Sequence, residues 1–160
     1  MAWSVINFSG EEIVKLAVAV EQQGQKFYEI AVDKVGDPEI KEMFTALASE
    51  EKQHIIDFEA LGIGLGQEFV PNESYVNEYS NYMHALIDNH VFNHDNVDKL
   101  AAGVTTVREA LAVAMQFEKD SILIFQELYN VVDASGKDII GKIIDQEKQH
   151  IRKIATGGLF

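Results

Sequence analysis

Two identical tetrads constrain this chain more than any other feature: Glu51-Lys52-Gln53-His54 and Glu147-Lys148-Gln149-His150. Each sits on an apolar stripe of helical period. The first stripe reads Ile40, Phe44, Leu47, Glu51, His54, Phe58, Leu61, alternating steps of four and three as a buried helix face does. The second reads Gly136, Ile140, Ile143, Glu147, His150, Ile154. A Glu three residues before a His puts both side chains on one face, one turn apart. Buried carboxylates and imidazoles are costly unless compensated, so a chain with two such pairs must bring them to partners.

Spacing supplies those partners. Glu21 precedes Glu51 by 30 residues, and Glu118 precedes Glu147 by 29. A helix break falls inside each interval, at Gly36-Asp37-Pro38 and near residues 133–136. Both members of a pair lie about fifteen residues from their break, or ~22 Å along antiparallel helices. They therefore reach the same height. The chain reads as a duplicated helical hairpin, with Glu21, Glu51, His54, Glu118, Glu147 and His150 on its inner seams. Two divalent cations would compensate this set, one carboxylate bridging both and one His capping each. The basic residues lie off the seams, which disfavours an internal salt-bridge network.

The rest of the chain fits long helices, with only two prolines to interrupt them. Helices are expected over about 9–36, 38–61, 106–132 and 136–156. Ser9 with Glu12 and Thr106 with Glu109 have capping-box spacing. Asp37 caps a helix that starts at Pro38, and Ser135 with Asp138 opens the last one. Gly62 and the pair Gly157-Gly158 are the expected stops. More than forty residues separate the second and third long helices, too many for a structureless loop. Tyr75, Tyr79, Tyr82/Met83 and Leu86/Ile87 recur there at helical spacing, so an extra helix near 74–91, capped by Asn72 or Ser74, is expected. Such a crossover lets those two long helices run in the same direction. The expectation is a single all-α domain over 1–160, a four-helix bundle with a long crossover carrying an additional helix.

The net charge of −13 argues against nucleic acid, which needs a basic footprint, and against an anionic membrane surface. There is no cysteine, which excludes thiolate zinc sites and iron–sulfur clusters. No stretch approaches the ~20 apolar residues of a membrane span. Met1 to Gly10 do not read as a signal peptide, so a cytoplasmic protein is expected.

At this point the residues resemble a known group. Glu21 with Phe27-Tyr28, Glu50-Glu51-x-x-His54, Glu118 with Phe125, and Glu147-x-x-His150 are similar to the ferritin-like diiron-carboxylate proteins, and among them the rubrerythrin-related group. One Glu from each of two helices and Glu-x-x-His from the other two is the general ligand recipe of such bundles. The resemblance implies a ferritin-like bundle in which Glu51 and Glu147 bridge two irons, Glu21 and Glu118 are terminal ligands, and His54 and His150 give one nitrogen to each. It implies a diiron oxidoreductase that reduces hydrogen peroxide or dioxygen. Rubrerythrins usually carry a four-cysteine rubredoxin-like module. This chain has none, so electrons would come from an external donor protein such as a rubredoxin. Their additional glutamate, three residues beyond the third-helix ligand, is here Ser121.

Two other functions stay open on sequence: a ferritin-type ferroxidase and iron store, and a non-catalytic metal-binding bundle. Hydroxylation of an organic substrate is a further option. Mixed oxygen and nitrogen ligation suits iron or manganese, while affinity order favours adventitious zinc. Gly24 and Ser121, each three residues after an unpaired ligand, are read as leaving room for an oxidant. Tyr28 and Tyr129 are expected to face inward. His84, His90 and His94 of the crossover are taken as solvated. The apolar segments Trp3, Val5, Ile6, Phe8 and Leu159-Phe160 either pack on a second subunit, in a homodimer or higher oligomer, or cover the bundle ends.

Overall fold

The computed structural model describes residues 10–64, 76–93, 96–132 and 134–159. Local capping chemistry sets where its helices begin. Helix α1 spans Gly10–Lys34. The carboxylate of Asp37 then accepts the backbone N–H of Glu39 at 2.9 Å and of Ile40 at 3.2 Å, capping α2 at Pro38–Gly64. After the crossover, α5 spans Val107–Val131 and is opened by a full capping box. The Thr106 hydroxyl accepts the Glu109 N–H at 3.1 Å, and the Glu109 carboxylate accepts the Thr106 N–H at 3.0 Å. Helix α6 spans Ala134–Ile154 and runs into a π-helical turn, Ala155–Leu159.

The crossover carries two helices where sequence spacing indicated one. Helix α3 is Val76–Asp88 and packs on α5, while the short α4, Val97–Gly103, packs on α1. The chain leaves the helical path at Asn89–His90 because the Val91 N–H turns away to the Asp120 carboxylate at 2.9 Å. Other boundaries shift by tertiary packing. Gly62 lies inside α2 with Val14 packed against it, and Ser135 lies in the first turn of α6 instead of capping it. Gly157 continues the π turn, held between Ile40 and Leu111. Ser9, Asn72, Ser74, Tyr75, His94, Phe160 and the apolar start of the chain lie outside the described residues.

The long helices α1, α2, α5 and α6 form an all-α four-helix bundle, with no strand among the described residues. Its topology follows from what packs at each end. Ile40 near the start of α2 and Leu111 near the start of α5 both touch Gly157. Leu61 and Val132, at the opposite ends of those helices, both touch Gly136. Helices α2 and α5 therefore run in the same direction, as the long crossover permits. One buried core runs through the bundle. On one side of the polar cluster lie Phe27, Tyr28, Phe44, Phe92 and Phe117, with Phe27–Phe92 and Phe92–Phe117 centroids 5.3 and 5.2 Å apart. On the other, Phe58 and Phe125 meet at 4.9 Å. These rings make the low-dielectric walls between which the cluster sits.

Candidate metal centre

All six residues on the sequence seams meet in the middle of the bundle. Glu21, Glu51, Glu118, Glu147 and His150 are wholly buried and His54 is 1% exposed. Four helices supply them: α1 gives Glu21, α2 gives Glu51 and His54, α5 gives Glu118, and α6 gives Glu147 and His150. The residues of each hairpin thus meet at one height along the bundle, as their spacing from the two helix breaks implies.

The donors divide into two overlapping sets. His54 Nδ1 lies 2.9 Å from Glu21 Oε2, 3.0 Å from Glu51 Oε2 and 2.9 Å from Glu147 Oε1. His150 Nδ1 lies 3.3 Å from Glu118 Oε2, 3.4 Å from Glu51 Oε1 and 2.9 Å from Glu147 Oε2. Glu51 and Glu147 belong to both sets and offer one oxygen to each. Within each set of four residues, the donor atoms lie within 4.8 Å of one another. The two imidazoles stack with centroids 5.6 Å apart and planes 20° from parallel.

Hydrogen bonds within the protein do not satisfy this cluster. Glu21 Oε1, Glu51 Oε1 and both oxygens of Glu147 are buried without a hydrogen-bond partner among the described residues. The Glu147 oxygens approach both histidines closely, but the angles are wrong for a hydrogen bond. Buried polar atoms are rarely left so. Lone pairs converging on a common centre are what a cation requires. Four buried carboxylates against two imidazoles leave a negative excess that two divalent ions of mixed oxygen and nitrogen preference would neutralise. The donor set fits a pair of such ions.

The same excess is visible in the titration behaviour. Burial first, then repulsion from Glu51 and Glu147, raises the Glu21 and Glu118 carboxyls well above the ordinary range. Burial alone would lower the His54 and His150 rings, but the surrounding carboxylates outweigh it and raise both strongly. Burial likewise opposes ionisation of Glu147, yet the two histidines win and its carboxyl is lowered. The site is a trap for positive charge.

The outer nitrogens of the two histidines have different partners. His150 Nε2 meets the Glu50 carboxylate, which also accepts Lys153 Nζ at 2.8 and 3.1 Å. Burial would raise the Glu50 carboxyl, but Lys153 and His150 together lower it. His54 Nε2 instead lies 3.2 Å from the amide oxygen of Gln146. Sequence reasoning left these partners unassigned, although a signal was there. Glu50 and Gln146 each directly precede one of the two shared glutamates, and on antiparallel helices each reaches the His of the other hairpin. Tyr28, wholly buried, donates its hydroxyl to Glu118 Oε1.

Several other expectations are corrected. Gly24 leaves no room for an oxidant, because the Phe117 ring fills it; a Cβ there would stand 2.1 Å from Phe117 Cζ. Ser121 is buried and its hydroxyl faces His90 Nε2 at 3.4 Å. Tyr129 is 38% exposed, since Leu128 takes the inward position beside it. His84 is exposed as expected, but His90 is 1% exposed. Its Nδ1 accepts the Phe92 N–H at 3.1 Å, so Nε2 carries the ring proton. Burial pushes the pKa of His90 down to about 3.

No helix among the described residues is long and apolar enough to cross a membrane. The rubrerythrin family model matches residues 12–156. A solved structure with a similar fold is that of a ferritin-like diiron-carboxylate protein from Thermotoga maritima, 25% identical, with 96% of each chain covered and a TM-score of 0.74. No curated protein matches the chain. The bundle topology, the doubled ligand set and the match along most of the sequence agree: this chain belongs to the rubrerythrin family.

Proposed function

We propose that this protein is a diiron-carboxylate oxidoreductase of rubrerythrin type, which reduces hydrogen peroxide or dioxygen with electrons from an external donor protein. The observation that supports it best is the pair of overlapping ligand sets sharing Glu51 and Glu147. Glu21 and His54 would complete one set, Glu118 and His150 the other. Together they would hold two ferrous ions, which would supply the two electrons that, with two protons, take one peroxide to two waters.

The residues of the chain account for the rest. Glu51 and Glu147 give one oxygen to each half, so they hold the two halves together when the charge between them changes. Glu21 keeps one oxygen without a partner, which leaves this carboxylate able to change its binding mode. Complete burial of the donors excludes bulk water and strengthens every charge interaction in the site. The Tyr28 hydroxyl on Glu118 keeps a proton beside the centre. A chain with no cysteine has no iron–sulfur or thiolate relay of its own, which favours a separate donor such as a rubredoxin.

Anaerobic loading with ferrous iron followed by stopped-flow mixing tests the reading. Faster oxidation by peroxide than by dioxygen, with iron content unchanged afterwards, is the expected result. Preference for dioxygen with iron accumulating far beyond two per chain would favour a ferritin-type store. Loaded iron that reacts with neither oxidant would leave a non-catalytic metal-binding bundle.

A further inference from the structure

The duplicated hairpins make the six inner residues nearly symmetric, but the groups behind them are not. Glu50 and Gln146 occupy equivalent places, each one residue before a bridging Glu. One is a carboxylate on His150 and the other an amide on His54. Tyr28 lies seven residues after Glu21, and its repeat counterpart seven after Glu118 is Phe125. Tyr28 donates across the bundle to Glu118, whereas Phe125 has no hydroxyl and Glu21 Oε1 has no partner among the described residues. Both differences fall on the same half. Around His150, every outer group is held: Glu118 by Tyr28, His150 by Glu50, and Glu50 by Lys153. The two shared glutamates carry unpartnered oxygens toward both halves, but around His54 the unshared carboxylate is loose as well, at Glu21 Oε1, and the ring rests on a neutral amide.

We propose that Glu50 is a positioning residue that makes the Glu118/His150 half the tighter, fixed metal site, and that the Glu21/His54 half is filled second and exchanges its ion more readily. This rests on the reading of the cluster as a two-metal site. A carboxylate accepting the ring N–H orients the imidazole and raises its basicity toward a metal more than an amide oxygen does. A ligand carboxylate already fixed by a hydrogen bond also loses less freedom on binding. Lys153 cancels part of the long-range charge of Glu50, so the effect acts through the ring it touches.

Calorimetric titration of the full chain with Co2+, under argon, tests the order of filling. Glu50→Gln gives both histidines an amide partner. It should weaken the first binding step by about ten- to a hundredfold and leave the second near its original value. Gln146→Glu should strengthen the second step and leave the first in place. Glu50 is half-buried and Gln146 exposed, and both substitutions keep the side-chain size, so the helical fold should survive, which circular dichroism checks. Proton NMR of the protein with one equivalent of Co2+ supplies a signature that altered stability alone would not produce. One hyperfine-shifted exchangeable imidazole N–H is expected in the original chain, and two in Glu50→Gln. An unchanged first step in Glu50→Gln, or two imidazole signals at one equivalent in the original chain, would overturn the inference while leaving the two-metal reading intact. Failure to bind Co2+ at all would overturn both.

Discussion

Replacing Gly24 by alanine gives a sharp test of how tightly the bundle closes around the site. Gly24 lies inside α1, one turn from Glu21, and glycine in a helix interior is about 1 kcal/mol worse than alanine. In open space the substitution would therefore stabilise the protein by roughly that amount. Here the new Cβ would stand 2.1 Å from Phe117 Cζ and 2.4 Å from Cε1, where carbon atoms in contact keep about 3.5–4.0 Å. The ring has to retreat by about 1.5 Å to restore that separation. It is wholly buried, with Phe92 at 5.2 Å, His90 at 5.9 Å and Tyr28 at 6.1 Å between centroids. Overpacking of this kind costs about 1–3 kcal/mol, and retreat into three neighbouring rings places it at the upper end. After the helix gain is subtracted, Gly24→Ala should lose about 2 kcal/mol. Urea unfolding of the metal-free protein reads this as a lower midpoint with an unchanged slope. In a Phe117→Leu background the same substitution should cost less than half as much, because the obstructing ring is gone. A Gly24→Ala protein as stable as the original, or more so, would refute the packing argument.

Two further outcomes follow from buried polar groups. Burial holds the pKa of His90 at about 3, while an ordinary histidine titrates near 6.5. Between those values the unfolded chain takes a proton that the folded one refuses, so His90 makes stability fall as pH drops below about 6.5, by up to ~1.4 kcal/mol per unit. The stability difference between the original chain and His90→Gln should shrink correspondingly from pH 7 to pH 5; a pH-independent difference would contradict the burial of a neutral ring. Tyr28→Phe removes the only hydroxyl on Glu118 Oε1 recorded among the described residues. It should cost the metal-free protein about 1–3 kcal/mol in urea unfolding, and a loss below ~0.3 kcal/mol would contradict that bond.

The six inner residues were legible because burial imposes a period that sequence displays directly. A Glu or His that replaces Leu on a stripe of fours and threes is visible without coordinates, and similar distances from the breaks near residues 36–38 and 133–136 set the heights. Asp37 and Thr106 were legible for a related reason, since caps act within four residues. What escaped depends on contacts between distant segments. His90 looks solvated beside Asn89 and Asn93, but Asp120 captures the Val91 N–H and turns the ring inward. The helix α4 is only seven residues long, too short for a period to declare itself. Gly24 reads as space in the sequence because its occupant, Phe117, comes from another helix. Tyr129 shows the resolution of a stripe: at 100° per residue two adjacent positions share its edge, and Leu128 took the inner one. Glu50 and Gln146 escaped because they project from the outer side of their helices, and only the antiparallel pairing of α2 with α6 brings each to a histidine of the other hairpin.

In the proposed centre, four glutamates and two histidines hold two metal ions. Equilibrium dialysis against ferrous iron under argon, followed by iron and protein determination, tests it most directly. Two irons per chain are expected, falling to one or none when the shared carboxylate is removed in Glu147→Ala, with the helical circular dichroism retained. A chain that binds no iron, or a Glu147→Ala protein that still binds two with unchanged affinity, would contradict it.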